Sequence, residues 1–413
     1  MRFSRLSPRE QHTARLLLWA ALFNGVVQSL NMTQDIIARK ALHAEVWQLT
    51  LMVMIWPVTN FCSIWWGRLF ESSRHKSRYF LVAGVLGRLT LVYGLWMTGM
   101  NEFMILLGLL YSFNSLLIPA QNSIFQKNIA EGKRAKIFGY TTSLTMLITI
   151  GFTFIAGRML DSRESFYKLI LAFTALAGFV STLMLSLIRF RKNSQQYRPF
   201  NWKEVLVDPI IKSLATLKNN QQFSRFERSF SIYGMGFIMM QPVIPIFLVD
   251  KMKLTYTGNF VAKGVIAMIP ILLFSPYLGK LHDKLHPFRF ISIFFGLLAV
   301  FPLLLMLSAA LVPWHILAVA VVYLAYAVFG LAMAGVSIAW TMGSIHFAGK
   351  EDASFYQSVH VTMTGIRGVL APVLGMVLHK VFGLYSVFGV AACFLITASF
   401  ISWRDNRKLK IEN

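Results

Sequence analysis

Charge is what this sequence lacks most: Asp, Glu, Lys and Arg make up only 14% of its 413 residues. A soluble chain carries roughly 25%, so an ordinary water-facing surface is excluded and a lipid-facing one is implied. Acid is scarcest, with 17 Asp plus Glu against 40 Lys plus Arg and a net charge of +23. In a soluble protein that excess would suggest nucleic acid. Here the basic residues sit in short segments between apolar runs, where bilayer topology puts them, so no nucleic-acid partner is expected. Cysteine is nearly absent: Cys62 and Cys393 both lie inside apolar runs, which excludes a disulfide framework and a cysteine-based metal site. There is no phosphate-binding glycine loop, no metal-spaced Cys/His set and no nucleophile elbow, so neither catalytic residues nor a cofactor is expected. Residues 1–15 are basic and polar, and the apolar run after them is too long and too polar for a cleaved leader; a retained span is expected there.

What the chain has instead is long apolar runs. A membrane helix needs about 20 mostly apolar residues, and twelve runs qualify: 14–38, 44–70, 78–98, 102–127, 134–160, 165–188, 223–251, 257–281, 288–309, 313–343, 352–379 and 383–403. With the N-terminus inside, most Lys and Arg fall on the cytoplasmic side, which predicts both termini in the cytoplasm. The longest polar stretch, 189–222, separates the sixth and seventh runs. It contains Asp208-Pro209, a helix-start pair, followed by Ile210, Ile211, Leu214 and Leu217 at helical spacing. These predict an amphipathic linker helix on the membrane surface. The expected fold is an all-α integral membrane protein, with a six-helix bundle at 1–188, the linker at 189–222 and a second six-helix bundle at 223–413.

The two halves echo each other. Gly67-Arg68-Leu69-Phe70-Glu71 after the second run matches Gly279-Lys280-Leu281-His282-Asp283 after the eighth, and each opens a short basic loop. Repetition at half the chain length is the mark of a duplicated transporter. These loops, with Lys76 and Lys284, resemble the Gly-x-Leu-x-Asp-Arg signature of the major facilitator superfamily, and the resemblance covers nearly the whole chain. It implies two six-helix bundles that rock around a shared cavity. It also implies a conformational latch formed by Gly67, Glu71, Lys76, Gly279, Asp283 and Lys284. The sequence departs from the proton-linked drug antiporters of that family. The fourth span carries no Arg, residues 151–157 contain no proline, and Asn31 stands where Asp is usual in the first span.

Polar stripes mark the faces expected to look inward. Asn24, Gln28, Asn31 and Asp35 share one narrow face of the first span, and Tyr111, Asn114, Ser115 and Asn122 share one of the fourth. Amides facing lipid would go unbonded, so these faces should meet protein or water. The eleventh span carries Gln357, His360, Thr364 and Arg367 on one face, and Arg88 lies at the centre of the third. An ionisable group at that depth costs at least about 2.5 kcal/mol and is a functional candidate, although an interhelical structural arginine satisfies the same pattern. Spans seven and ten are more apolar, with Gln241 and Tyr326 among their polar members. The expected substrate-binding set is Asn24, Gln28, Asn31, Arg88, Tyr111, Asn114, Gln241, Tyr326, His360 and Arg367. Asp35 and His360 are the candidates for a coupling ion, proton or sodium, and no acid is expected at mid-membrane depth. The sum is a monomeric transporter in the cell membrane, moving a small organic anion or an amphipathic metabolite with an anionic group. Multidrug export is the alternative within transport, and a transporter-like receptor or assembly protein the alternative outside it.

Overall fold

The computed structural model describes residues 7–61, 66, 70, 73, 75–189, 215–348 and 353–412. All regular structure among them is helical. Helix α1 spans Pro8–Lys40, and Ser7 and Glu10 close a reciprocal cap at its start. Such a cap satisfies two of the amide donors that a helix start leaves free. α2 is Val46–Phe61, α3 Lys76–Leu95, α4 Met100–Asn128, α5 Glu131–Ser162 and α6 Tyr167–Ser186. α7 is Gln221–Lys251 and α8 Tyr256–Lys284; α9 is Pro287–Ala310, α10 His315–Ala348, α11 Ala353–Phe382 and α12 Leu384–Glu412. Eleven of these, all but α2, are long and apolar enough to cross a membrane. The twelfth expected run, 44–70, is helical over Val46–Phe61, and part of the remainder lies outside the described residues. So does most of the expected linker helix.

Contacts divide the chain into two units, Met1–His43 with Val58–Asn201, and Ala44–Pro57 with Trp202–Asn413. Within the first unit α1 packs on α5 and α6, and α3 packs on α4 and α6. Within the second, α7 packs on α11 and α12, and α9 on α10 and α12. The pairing scheme is the same, six helices later. Helices α3, α7 and α8 depart from regular α geometry. α3 opens as α-helix, widens to a π-helical turn over Ala83–Arg88 and tightens to a 3-10 turn over Leu89–Leu95. α7 breaks after Met239, resumes at Ile244 and ends in a π-helical turn over Phe247–Lys251, and α8 carries another over Val261–Ile266. Wide π turns inside helices re-aim side chains, and they recur at functional positions.

Candidate functional site

In the first unit the polar stripes of α1 and α4 converge on α3. Arg88 ends the π-helical turn and is 3% exposed. Its Nη2 donates to Asn24 Oδ1 at 2.9 Å, its Nε to Asn114 Oδ1 at 3.2 Å, and its Nη1 to the carbonyl of Gly178 at 3.2 Å. The side chain reaches α1 only because α6 has no side chain at Gly178, where a Cβ would stand 2.9 Å from Arg88 Cδ. One guanidinium thus ties α3 to α1, α4 and α6, and every acceptor it uses is neutral. A few residues toward the other end of α1, the Tyr111 hydroxyl lies 2.8 Å from both Asn31 Oδ1 and Gln34 Oε1. A phenol has one proton to give, so one of those two amides must turn its NH2 toward the hydroxyl. Asn31 Nδ2 also donates to Gln28 Oε1 at 2.7 Å. The amide face of α1 therefore looks into its own unit, as its spacing predicts. Asp35, half-buried, accepts the Ile36 backbone amide at 3.0 Å.

The second unit assembles a different kind of site from α7 and α11. His360 Nδ1 lies 2.6 Å from Glu227 Oε1, with the two side chains 0% and 2% exposed. Glu227 is absent from the residues expected from the sequence. Its neighbours Arg225 and Arg228 make it read as part of a solvated helix end, but its own face is turned inward. Seven residues on, Gly234 lies under the Arg367 side chain, and a Cβ there would collide with Cδ and Nε. Glu227 meets His360, and Gly234 meets Arg367. Both pairs are two turns apart, so α7 and α11 run side by side in the same direction, and that shared spacing was the available signal.

Arg367 is 4% exposed, yet it makes a single hydrogen bond among the described residues, from Nη2 to Thr364 Oγ1 at 2.7 Å. Its Nε and Nη1 are buried without an acceptor among the described residues. Unbonded buried donors of this kind are uncommon, because each forgoes its hydration for nothing. Around them the lining is aromatic. Tyr233 stacks on Phe295 with centroids 4.5 Å apart, and Phe226, Phe230 and Trp340 surround the His360 ring. Tyr326 is buried against Phe301 and Phe329, and Gln241 sits half-buried in the break of α7.

Of the latch residues, Gly67 and Glu71 lie outside the described residues. Lys76 Nζ rests 4.7 Å over the Phe70 ring. In the second copy the Asp283 side chain is 83% exposed and 3.9 Å from His282 Nδ1. Gly279 faces open space, and Lys284 ends α8. Just beyond, His286 caps α9 by accepting the Phe288 amide on Nδ1 at 3.3 Å. Burial, aided by nearby His346, holds its pKa below the ordinary histidine value, which keeps the accepting lone pair available. Among the described residues no three His, Cys, Asp or Glu side chains converge as metal ligands.

Comparison with known proteins agrees with this architecture. The family model described as Major Facilitator Superfamily matches residues 16–366. A curated relative, the Multidrug resistance protein MdtG of Dickeya zeae (strain Ech586), is 28% identical over 181 residues. That alignment takes in 41% of this chain, and the chain spans only 42% of the relative's length. Among solved structures, a point mutant of the nucleoside transporter NupG superposes with a TM-score of 0.73 at 14% identity, covering 95% of this chain and 99% of that one. A bacterial homolog of the human lysosomal transporter Spinster gives 0.65 at 10% identity, over 97% and 98%. An auto-inhibited POT family peptide transporter gives 0.66 at 11% identity, over 97% of each chain. At such identities these likenesses speak to the fold alone.

Proposed function

Since the chain belongs to the Major Facilitator Superfamily and is a membrane transporter rather than an enzyme, we propose that it carries a small organic solute bearing an anionic group, by rocker-switch alternating access. The observation that carries this reading is Arg367: a buried guanidinium with two donors unbonded in an aromatic surround. An incoming carboxylate, sulfonate or phosphate would supply the missing acceptors, and the Tyr233 and Trp340 rings would suit an amphipathic body. Tyr111, Asn31 and Gln28 provide a second polar surface whose amides can exchange partners, and Gln241 and Tyr326 are retained as further candidate contacts. Arg88, Asn24 and Asn114 are assigned to holding the first unit together, because each already has its partner there. Two six-helix halves, 1–188 and 223–413, with the linker 189–222 and twelve crossings of the cell membrane, complete the proposal; both termini are placed in the cytoplasm. The protein is taken to act as a monomer.

A second reading, multidrug export, is favoured by the match to the multidrug resistance protein over part of the chain. Counterflow in proteoliposomes separates the two, with labelled p-aminohippurate as the organic anion and ethidium as the lipophilic cation. The anion should exchange, and Arg367→Ala should reduce its exchange at least about tenfold, the loss of one charge-assisted contact. Exchange of ethidium alone, indifferent to Arg367→Ala, would replace this reading with the second.

A further inference from the structure

We infer that the last turns of α12 carry a binding site for the headgroup of an anionic phospholipid, formed by Trp403, Arg404, Arg407 and Lys408. The placement follows from how the helix divides its two faces. Ser402, Asp405, Asn406 and Leu409 are buried, and they continue the inward face of Ala391, Leu395 and Ala398; α12 packs on α7 and α9. The opposite face is exposed. It is apolar at Ile396 and Phe400, and within two further turns it becomes Trp403, Arg404, Arg407 and Lys408. These positions recur at helical spacing along unbroken α-helix, so one stripe runs from lipid-facing side chains to basic ones.

Depth and charge decide what meets this stripe. A span needs about 20 residues, and α12 has 29, so its last turns stand outside the hydrocarbon at the level of the headgroups. Trp403 lies near that crossing, where aromatic rings collect. The Phe400 ring is 5.8 Å from it, and the Arg407 guanidinium sits 4.3 Å over its centroid. A guanidinium resting on that ring is held against the bilayer surface instead of ranging into water. Its planar fork can give two parallel N–H bonds to a phosphodiester. The stripe holds no acid among the described residues. Asp405, next to Arg404 in the chain, is turned inward and taken by Arg228 of α7 at 2.8 Å. The three positive charges are thus left for the bilayer to balance. Each base at a bilayer surface favours anionic lipid by about fivefold, whereas a zwitterionic lipid brings an ammonium of its own.

The test reads Trp403 itself. The full chain is placed in phosphatidylcholine nanodiscs in which a minor fraction of the lipid carries bromine on its acyl chains, as either phosphatidylglycerol or phosphatidylcholine. Trp403 emission is the difference between a protein and its Trp403→Phe counterpart. Brominated phosphatidylglycerol should quench it at least about threefold more than brominated phosphatidylcholine at the same mole fraction. Arg404→Gln/Arg407→Gln/Lys408→Gln should lose that preference, and Arg407→Lys, which keeps the charge, should retain most of it. Each single Gln variant should remove part of the preference, so the inference is decided even if the triple variant does not reconstitute. Equal quenching by the two lipids in the wild type, or an unchanged preference in the Gln variants, would overturn the inference. Quenching by neither lipid would mean that protein covers the face, and the inference fails. Loss of the preference on adding inorganic phosphate, but not chloride of equal ionic strength, would make this a site for a soluble anion and would likewise overturn it.

Discussion

Arg88 in the first unit and Arg367 in the second are both buried to within a few per cent, each laid across a glycine of a neighbouring helix, and they end in opposite states. Arg88 commits Nε, Nη1 and Nη2 to three fixed oxygens from three helices. Arg367 commits one nitrogen to a threonine of its own helix and leaves two unbonded. A carboxylate stands near Arg367 but is held by His360, whereas the acceptors of Arg88 carry no charge. Burial alone therefore does not identify a functional arginine. Completeness of hydrogen bonding separates a fastener from a group still waiting for a ligand.

The contrast can be broken by experiment, most sharply at Arg88. Arg88→Leu strands two amide oxygens, those of Asn24 and Asn114, and should cost about 3 kcal/mol at roughly 1.5 kcal/mol each, read from denaturant midpoints in detergent. Arg88→Lys should recover little of this, because an ammonium cannot reproduce a planar fork directed at three helices. Matched glycine substitutions come next. Gly178→Ala should destabilise by about 2 kcal/mol, since the bonded Arg88 cannot yield to the new methyl. Gly234→Ala should cost less than half as much, because Arg367 can swing away, but anion counterflow should fall several-fold. Equal losses of stability at the two glycines would erase the distinction. Tyr111→Phe, which removes one shared hydroxyl, should cost about 1 kcal/mol in the same melts. Arg367→Lys, which keeps the positive charge beside the buried carboxylate, should have the smallest effect on stability, under about 1 kcal/mol, alongside a large loss of exchange, because an ammonium cannot offer an anion the same fork. If it unfolds the protein as readily as Arg88→Lys, Arg367 is a fastener too.

Much of this was legible in one dimension. The apolar runs marked the spans, the half-chain echo of Gly-x-Leu-x-acid pointed to the family, and the four-then-three spacing of Asn24, Gln28 and Asn31 put them on the face that looks into the first unit. Glu227 was not legible. Flanked by Arg225 and Arg228 it has the composition of a helix end in water, and only its seven-residue spacing to Gly234 hinted at a partner helix. Arg88 and Arg367 were found together as buried charges, but nothing local distinguished them, and the π-helical turn that aims Arg88 has no signature in Gly84-Val85-Leu86-Gly87.

Sequence alone determined which segments prefer lipid and which face of each helix must turn from it, because transfer free energy adds up residue by residue along the chain and repeats with the helical period. Tertiary structure decided which buried donors find acceptors. Those bonds join residues 64 positions apart for Asn24 and Arg88, and 133 apart for Glu227 and His360. A hydrogen bond depends on a few tenths of an ångström and on direction, and both are set only when separate helices pack.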